Sequence, residues 1–191
     1  DPALALERIG VMPFFKGSFG SSITESVICP VCDLTYDPRS LSPDCVKVLT
    51  QYVREALEKN HGDRVLPQPL VAKTYPQISL DDRRDTPLSL SQKVGKLLGA
   101  NLMTVGTVWK YRERVGGAGA VSSPASVAFA LHLVDVESGK VLWSKSFVQT
   151  QRSLSENILN AKAFFEQGAK WLTADELASF GVKEILKEFP Y

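Results

Sequence analysis

The stretch from Ser126 to Gln149 restricts the possible folds most strongly, because it contains two strands joined by a tight turn. Apolar side chains occupy alternate positions of the first strand, as in a strand with one buried face: Val127, Phe129, Leu131 and Leu133. Gly139 supplies the positive φ angle that a short hairpin turn needs. Residues 141–149 form the returning strand. Both strands are apolar on both faces, so we expect both to lie centrally in a sheet that helices cover on at least one face.

A third strand is predicted from Asn101 to Arg112, ahead of this hairpin. By alternation, its larger side chains share one face: Met103, Val105, Trp109 and Tyr111. Gly106, on the other face, leaves room for a neighbouring side chain. Together with Trp143 on the returning strand, Trp109 and Tyr111 could form an aromatic platform for a ligand. Burial in the core is the more common position of such residues and is the interpretation we favour.

Two amphipathic helices are predicted before that strand. The first begins at Ser42, its N-cap, followed by proline, and ends near Gly62. The second begins at Thr86, again followed by proline, and ends at Gly99. Apolar side chains spaced by three and four residues form a stripe on each helix: Val46, Leu49, Val53, Ala56 and Leu57 on the first, and Leu90, Val94, Leu97 and Leu98 on the second. These stripes are suited to covering a sheet.

Weaker elements surround these helices. Residues 8–15 form the first predicted strand, and Pro13 ends it or places it at a sheet edge, because proline donates no ladder hydrogen bond. Residues 64–70 could form a short strand, weakened by two prolines. Residues 71–85 show no clear pattern.

The tail of the chain is predicted to be helical. One helix spans about 153–168, and a second runs to about residue 188 after a capping box of Thr173 and Glu176. The order of elements predicts an α/β fold: a mixed, largely antiparallel sheet of about five strands with helices packed on it, plus C-terminal helices. We expect residues 1–191 to form a single domain.

Size and composition set limits on function. The chain has 191 residues, of which 44% are hydrophobic and 23% charged, as is usual for a globular domain with its own core. A formal net charge of +1 argues against a large nucleic-acid-binding surface. No apolar run approaches the roughly 18 residues that a membrane-spanning helix needs. We therefore expect the chain to bind no nucleic acid. We also expect none of these residues to form a membrane-spanning helix.

Three cysteines lie close together in the sequence: Cys29, Cys32 and Cys45. The first two lie in a long polar stretch, residues 16–41, which is rich in Gly, Ser, Pro and Asp. A disulfide that staples this loop is the interpretation we favour, and it would stabilise the fold by on the order of 2–4 kcal/mol. It implies an oxidising compartment. Which two cysteines pair remains open, and a bond from Cys45 to either of the others would tie the loop to a helix.

The Cys29-Pro30-Val31-Cys32 motif also has the spacing of a thiol-redox site. A redox site of the thioredoxin kind opens a helix, whereas the residues after Cys32 are predicted to be loop. Asp33 stands where covalent haem attachment requires histidine. A zinc site is disfavoured because it needs about four ligands, and only the distant His61 or His132 could complete the set.

The other polar candidates have simpler interpretations. His132 lies within a predicted strand, where a packed or solvent-facing histidine is far more common than a catalytic one. The run from Asp81 to Asp85 has mixed charges and is typical of a solvated loop. Gly116, Gly117 and Gly119 resemble a phosphate cradle but lack the following lysine and helix start. We therefore predict no catalytic, cofactor-binding or metal site.

Three segments taken together resemble a recurring pattern of bacterial envelope proteins: residues 9–14 (IGVMPF), 98–108 (LGANLMTVGTV) and 131–143 (LHLVDVESGKVLW). Their order, with a strand ending in Pro-Phe, a helix ending in Gly-Ala and a hairpin ending in Gly-Lys-Val-Leu-Trp, is similar to that of the TolB amino-terminal domain and its relatives. These include the curli-secretion lipoprotein CsgG and the penicillin-binding-protein activator LpoB. The resemblance covers residues 8–150. Residues 16–41 and 153–189 are additions to the minimal pattern.

The resemblance implies export to the periplasm or outer membrane, commonly through a lipid anchor upstream of Asp1, and a non-catalytic role. We expect the domain to bind an envelope protein partner during assembly or secretion, through the loop of Pro30 and Val31 or through that of Gly116, Gly117 and Gly119. A thiol-redox protein that uses Cys29 and Cys32 is one alternative. The other is a subunit of an oligomeric secretion channel, although no amphipathic transmembrane hairpin is recognisable. The partner and the oligomeric state remain open.

Overall fold

A computed structural model describes residues 7–16, 27–28, 35–36, 41–81, 86–117, 121–151 and 171–191. The strands are β1 (Ile9–Val11), β2 (Phe15–Lys16), β3 (Val27–Ile28), β4 (Thr35–Tyr36), β5 (Leu102–Arg112), β6 (Val115–Gly116), β7 (Val121–Ser123), β8 (Ser126–Asp135) and β9 (Val141–Thr150). The helices are α1 (Cys45–His61), α2 (Gln68–Asp81), α3 (Pro87–Leu98) and α4 (Ala174–Leu186), and a 3₁₀ turn lies at Gly62–Arg64.

The main sheet contains five strands. Its order is β1, β5, β8, β9, and β2 also pairs with β5, beyond β1. β1 and β2 run parallel to β5, whereas the long pairs β5–β8 and β8–β9 are antiparallel. The predicted fold class, a mixed and largely antiparallel sheet with helices packed on it, is confirmed. β3 pairs with β4, and β6 with β7, in separate two-stranded ribbons.

Helices cover both faces of this sheet. α1 and α4 pack on the face that carries the alternating apolar residues of β8, and they form the larger core with Phe129, Leu131 and Leu133. α2 and α3 pack on the opposite face, where Met103 and Val105 of β5 contact a second core. Val105 and Phe129 are therefore both buried, as expected, but on opposite faces of the sheet. Burial on both sides explains why β5 and β8 are apolar at nearly every position.

The start of α1 differs from the prediction. Asp44, not Ser42, is the N-cap, and its side chain makes no capping hydrogen bond. The Ser42 N–H donates to the carbonyl of Tyr111 at 3.0 Å, so the chain is still paired with β5 at this point. The helix therefore begins at Cys45, after Asp44. The predicted end at Gly62 is confirmed.

The described residues between α1 and α3, 62–81, are mostly helical, a feature that the sequence pattern does not indicate. Only Val65 bridges to Ile9, where a strand over 64–70 was predicted, and α2 then begins at Gln68. α2 continues through Pro76. Its prolines weaken both helix and strand patterns, which explains why the sequence did not reveal it. α3 begins with the Thr86 cap and ends at Gly99 as predicted.

β5 contains an irregularity that alters the predicted arrangement of its aromatic residues. Its register against β8 shifts between Val108 and Lys110, which is typical of a β-bulge. Met103 and Val105 therefore face α2 and α3, whereas Tyr111 belongs to the core under α1 and α4. Trp109 packs on Ala128 and Ala130. The strict alternation that placed these four residues on one face is thus wrong beyond the bulge.

The C-terminal helix agrees with its sequence pattern. Thr173 accepts from the Glu176 N–H and the Glu176 side chain accepts from the Thr173 N–H, which is the predicted capping box. Tyr111 donates to Asp175 at 2.5 Å and so joins the beginning of α4 to β5. Desolvation by burial, and then the Asp175 carboxylate, raise the pKa of Tyr111. The helix predicted over 153–168 lies outside the described residues.

Candidate protein-binding surface

β9 forms the outer strand of the main sheet. Within the described residues, β9 is ten residues long and pairs with β8 alone. β8 occupies a central position as predicted, but the same prediction for β9 is wrong. Apolar periodicity alone could not separate the two positions, because an edge strand with one face packed on a helix has a similar composition.

One face of β9 is fixed by α4 and by the residues that follow it. Phe147 stacks against Phe129 and Phe180, with ring centroids at 5.6 and 6.3 Å. Trp143 meets the ring of Phe189 edge-on at 5.3 Å. Lys145, between them on the strand, forms an ion pair with Glu188 at 2.6 Å. These contacts hold β9 in place from one side.

The other face of β9 is exposed and uncharged. It consists of four alternate residues: Leu142, Ser144, Ser146 and Val148. Leu142 is 45% exposed and Val148 67%. Edge strands are usually protected by charged side chains, prolines or bulges that prevent pairing with another chain. This face carries neither charge nor proline, and the single register shift with β8 lies at its first residues.

The opposite end of the sheet is closed. The Leu66 N–H donates to the carbonyl of Ile9 at 2.8 Å, and Val65 bridges to Ile9, so β1 is covered on its outer side. The Phe14 N–H, between β1 and β2, donates to Thr50 Oγ1 at 2.9 Å. Over the described part of the chain, β9 is therefore the long sheet edge that stays open.

His132 lies behind the exposed face of β9. Its ring is fully buried, and a hydrogen bond of 2.9 Å joins its Nδ1 to Ser144 Oγ. Among the described residues, no group pairs with its Nε2. Burial lowers the pKa of His132 to about 4, so the ring is neutral at physiological pH. It is a core residue of the sheet, which is one of the two non-catalytic positions, packed or solvent-facing, that the sequence left open, and its ring is hydrogen-bonded to Ser144.

The predicted partner-binding residues are only partly described. Cys29, Pro30, Val31, Cys32 and Gly119 lie outside the described residues. Gly116 and Gly117 lie at the end of the short β6–β7 ribbon. Val115, on the same ribbon, is 58% exposed. Nothing in the described geometry brings this ribbon and β9 together.

Cys45 is a structural residue of the core. It is a free cysteine and lies fully buried in the core under α1, so the structure contains no disulfide from Cys45 to the loop. Desolvation by burial raises the pKa of its thiol, while the charge of Lys16 partly lowers it. Because reactive thiols have a lowered pKa, Cys45 is unsuited to redox chemistry. A bond between Cys29 and Cys32 stays a prediction.

The aromatic platform proposed from the sequence is not formed. Trp109 and Tyr111 face opposite sides of the sheet because of the bulge in β5, and Trp143 packs at the edge near Phe189. Across the described ranges, no three His, Cys, Asp or Glu side chains converge to hold a metal ion. The helices in those ranges are all too short or too polar to cross a bilayer.

Comparison with solved structures shows where this fold occurs. PelC from Paraburkholderia phytofirmans, a dodecamer, is 16% identical, with a TM-score of 0.51 over 97% of this chain and 89% of its own. Lipoprotein GNA1162 from Neisseria meningitidis is 18% identical, with a TM-score of 0.49 over 85% and 98%. The LpoB C-terminal domain from Salmonella enterica is 16% identical, with a TM-score of 0.47 over 79% and 87%. At these identities the likeness to PelC shows a shared fold.

Sequence comparison is more specific. A search among curated proteins gives no significant match. The family model described as "Curli production assembly/transport component CsgG" matches residues 79–187, which is more than half of the chain and contains α3, β5, β8, β9 and α4. The resemblance stated from the sequence is thereby confirmed, and this chain belongs to the CsgG family.

Proposed function

We propose that this protein is a non-catalytic, periplasm-facing domain that binds a protein partner during envelope assembly or secretion, and that the edge of β9 is the binding surface. The observation that carries the proposal is the edge strand β9, which within the described residues is long, is unpaired on its outer side and carries no charge on its exposed face. The other end of the same sheet is closed. Membership of the CsgG family, described as an assembly and transport component, supports the cellular context. Attachment to the outer membrane through an upstream lipid is part of the same proposal.

The physical basis is strand addition. An open edge presents a row of backbone N–H and C=O groups that an extended segment can pair with, while alternate side chains provide specificity. Leu142 and Val148 offer apolar contacts at the two ends of the exposed face, and Ser144 and Ser146 keep its centre small. A partner strand that is apolar at matching positions would complete this surface.

A role as a subunit of a larger assembly is the second candidate. PelC, whose fold is shared, forms a dodecamer, and an open edge serves a neighbouring copy as well as a different protein. By contrast, no described contact favours the thiol-redox alternative, which depends on Cys29 and Cys32. The loops of Pro30 and Val31, and of Gly116, Gly117 and Gly119, stay predicted as additional contact regions.

Site-specific photocrosslinking in cells tests the proposal. A benzophenone amino acid in place of Ser146, on the open face of β9, is expected to form protein adducts in the envelope. The control carries the same group in place of Glu55, which is exposed on α1. Adducts at position 55 but not at 146 would exclude the β9 edge as the binding surface. Adducts at neither position would contradict a protein-binding role.

A further inference from the structure

We propose that the β9 edge is completed by β9 of a second copy of this chain, with the two strands antiparallel about a two-fold axis at Lys145. This inference rests on the proposed use of the edge and specifies its occupant. A strand can be extended only by another strand whose own edge is unpaired. Because the β1 end is closed by Val65 and Leu66, head-to-tail addition of β9 to β1 is blocked. Within the described residues, β9 is the long open edge of the main sheet that a copy of this chain can offer, and pairing of like with like gives a two-fold dimer.

The residues of the open face are complementary in this register. In an antiparallel pair centred on Lys145, residues whose numbers add up to the same total lie opposite each other. Leu142 then meets Val148 of the other copy, and Ser144 meets its Ser146. The two large apolar side chains, each among the exposed hydrophobic residues of the described chain, thus cover each other at both ends. The small hydroxyl side chains of Ser144 and Ser146 meet in the middle. Such apolar and hydroxyl cross-strand pairs are favourable.

The opposite face of the strand also agrees with this register. Trp143 would lie opposite Phe147 of the other copy, which pairs two aromatic residues whose own packing on α4 and Phe189 is already fixed. The two Lys145 side chains meet at the axis, and like charges directly opposite are unfavourable. Each Lys145, however, already pairs with Glu188 at 2.6 Å, and this carboxylate offsets part of the repulsion between the two lysines. A shift of the axis by one residue, to Ser144 or Ser146, would place Leu142 or Val148 opposite a serine.

Disulfide trapping measures the register. Three single variants, Ser144→Cys, Lys145→Cys and Ser146→Cys, are prepared in a background in which Cys29 and Cys32 are serine. We expect each purified chain to show concentration-dependent dimerisation by light scattering. Lys145→Cys should form the covalent dimer fastest under mild oxidation, because its two copies face each other directly.

In the cysteine-to-serine background, Glu188→Gln should weaken the non-covalent dimer about threefold, since it leaves the lysines at the axis uncompensated.

Several outcomes would overturn self-pairing. These are a monomer at all accessible concentrations, fastest trapping at Ser144 or Ser146, and a larger assembly without a bond at position 145. The photocrosslinking experiment separates this failure from that of the proposed function. Adducts of Ser146 with a different protein, alongside a monomeric purified chain, would refute self-pairing and leave the β9 edge as a binding surface. Adducts with the mass of two copies would support both.

Discussion

Replacing Gly106 by alanine is expected to destabilise the protein by about 3 kcal/mol, the upper end of the range for overpacking a core. A Cβ atom at this position would lie 2.4 to 2.5 Å from three atoms of the Phe14 ring, far inside van der Waals contact. Phe14 cannot retreat easily. Its ring is buried against Phe129 with centroids 6.0 Å apart, and its N–H is bonded to Thr50. Gly106 itself is held in the centre of the sheet by its pairing with Leu131.

Chemical denaturation measures this effect, and the chain offers a matched control. A Cβ added at Gly117 would meet no atom within 4 Å, so Gly117→Ala should change the free energy of unfolding by no more than about 0.5 kcal/mol. Combining Gly106→Ala with Phe14→Leu should recover part of the loss, because the two changes share one contact. Equal denaturation midpoints for Gly106→Ala and the unaltered protein would contradict the packing described.

Acidification is expected to remove about 3 kcal/mol of stability through His132 alone. Burial lowers the pKa of this residue from 6.5 to about 4 in the folded state. Between these values the unfolded chain takes up a proton that the folded chain does not bind, so unfolding becomes more favourable as the pH falls. The contribution is fully present above pH 6.5 and is lost progressively down to about pH 4. One pKa unit corresponds to about 1.4 kcal/mol, which gives the stated magnitude.

Comparison of pH profiles isolates this contribution. The free energy of unfolding is measured from pH 7 to pH 4 for the unaltered protein and for His132→Gln, which cannot titrate. The carboxyl groups are the same in both proteins, so their contributions to the pH dependence of the free energy of unfolding cancel in the difference between the two profiles. His61→Gln is the control, because His61 is partly exposed, whereas His132 is fully buried. Burial, and then the charge of Arg64, lower the pKa of His61. Parallel profiles for His132→Gln and the unaltered protein would show that His132 is accessible to protons in the folded state.

Local sequence patterns correctly predict those structural features that depend on residues close together in the chain. Alternation placed Phe129 and Leu133 on one buried face, because a strand has a period of two. Gly139, with φ at 72°, was recognisable as the turn, since it adopts a conformation that few other residues tolerate. The Thr173 capping box was likewise recognisable because its partners are three residues apart. The family resemblance followed from the order of such elements.

Other features depend on long-range contacts that no local pattern reports. The bulge near Trp109 reverses the faces of β5, and it arises in the pairing of β5 with β8. Leu97 belongs to the apolar stripe predicted for α3 but is 69% exposed, whereas Leu98 beside it packs on the core. The prolines of α2 obscured a helix that tertiary packing stabilises.

The candidate site itself was missed for the same reason. The sequence patterns predict binding through two loops and a central position for β9. The missing information was whether another strand lies beyond β9, which depends on the whole topology. One local clue was present: Leu142, Ser144, Ser146 and Val148 contain no charge, which is unusual for a strand that borders solvent. That pattern fits an edge whose partner is another protein.

The claim that β9 is the recognition edge is tested most directly by placing one charge on it. Val148→Lys introduces a typical protective residue of edge strands, and Leu97→Lys is its matched control, since the two side chains are 67% and 69% exposed. Both variants should keep the melting temperature of the unaltered protein. We expect Val148→Lys to weaken association, measured by light scattering and by Ser146 photoadducts, by about tenfold, which corresponds to about 1.4 kcal/mol. Leu97→Lys should leave association unchanged. Equal association of the two variants would contradict the assignment of β9 as the binding edge.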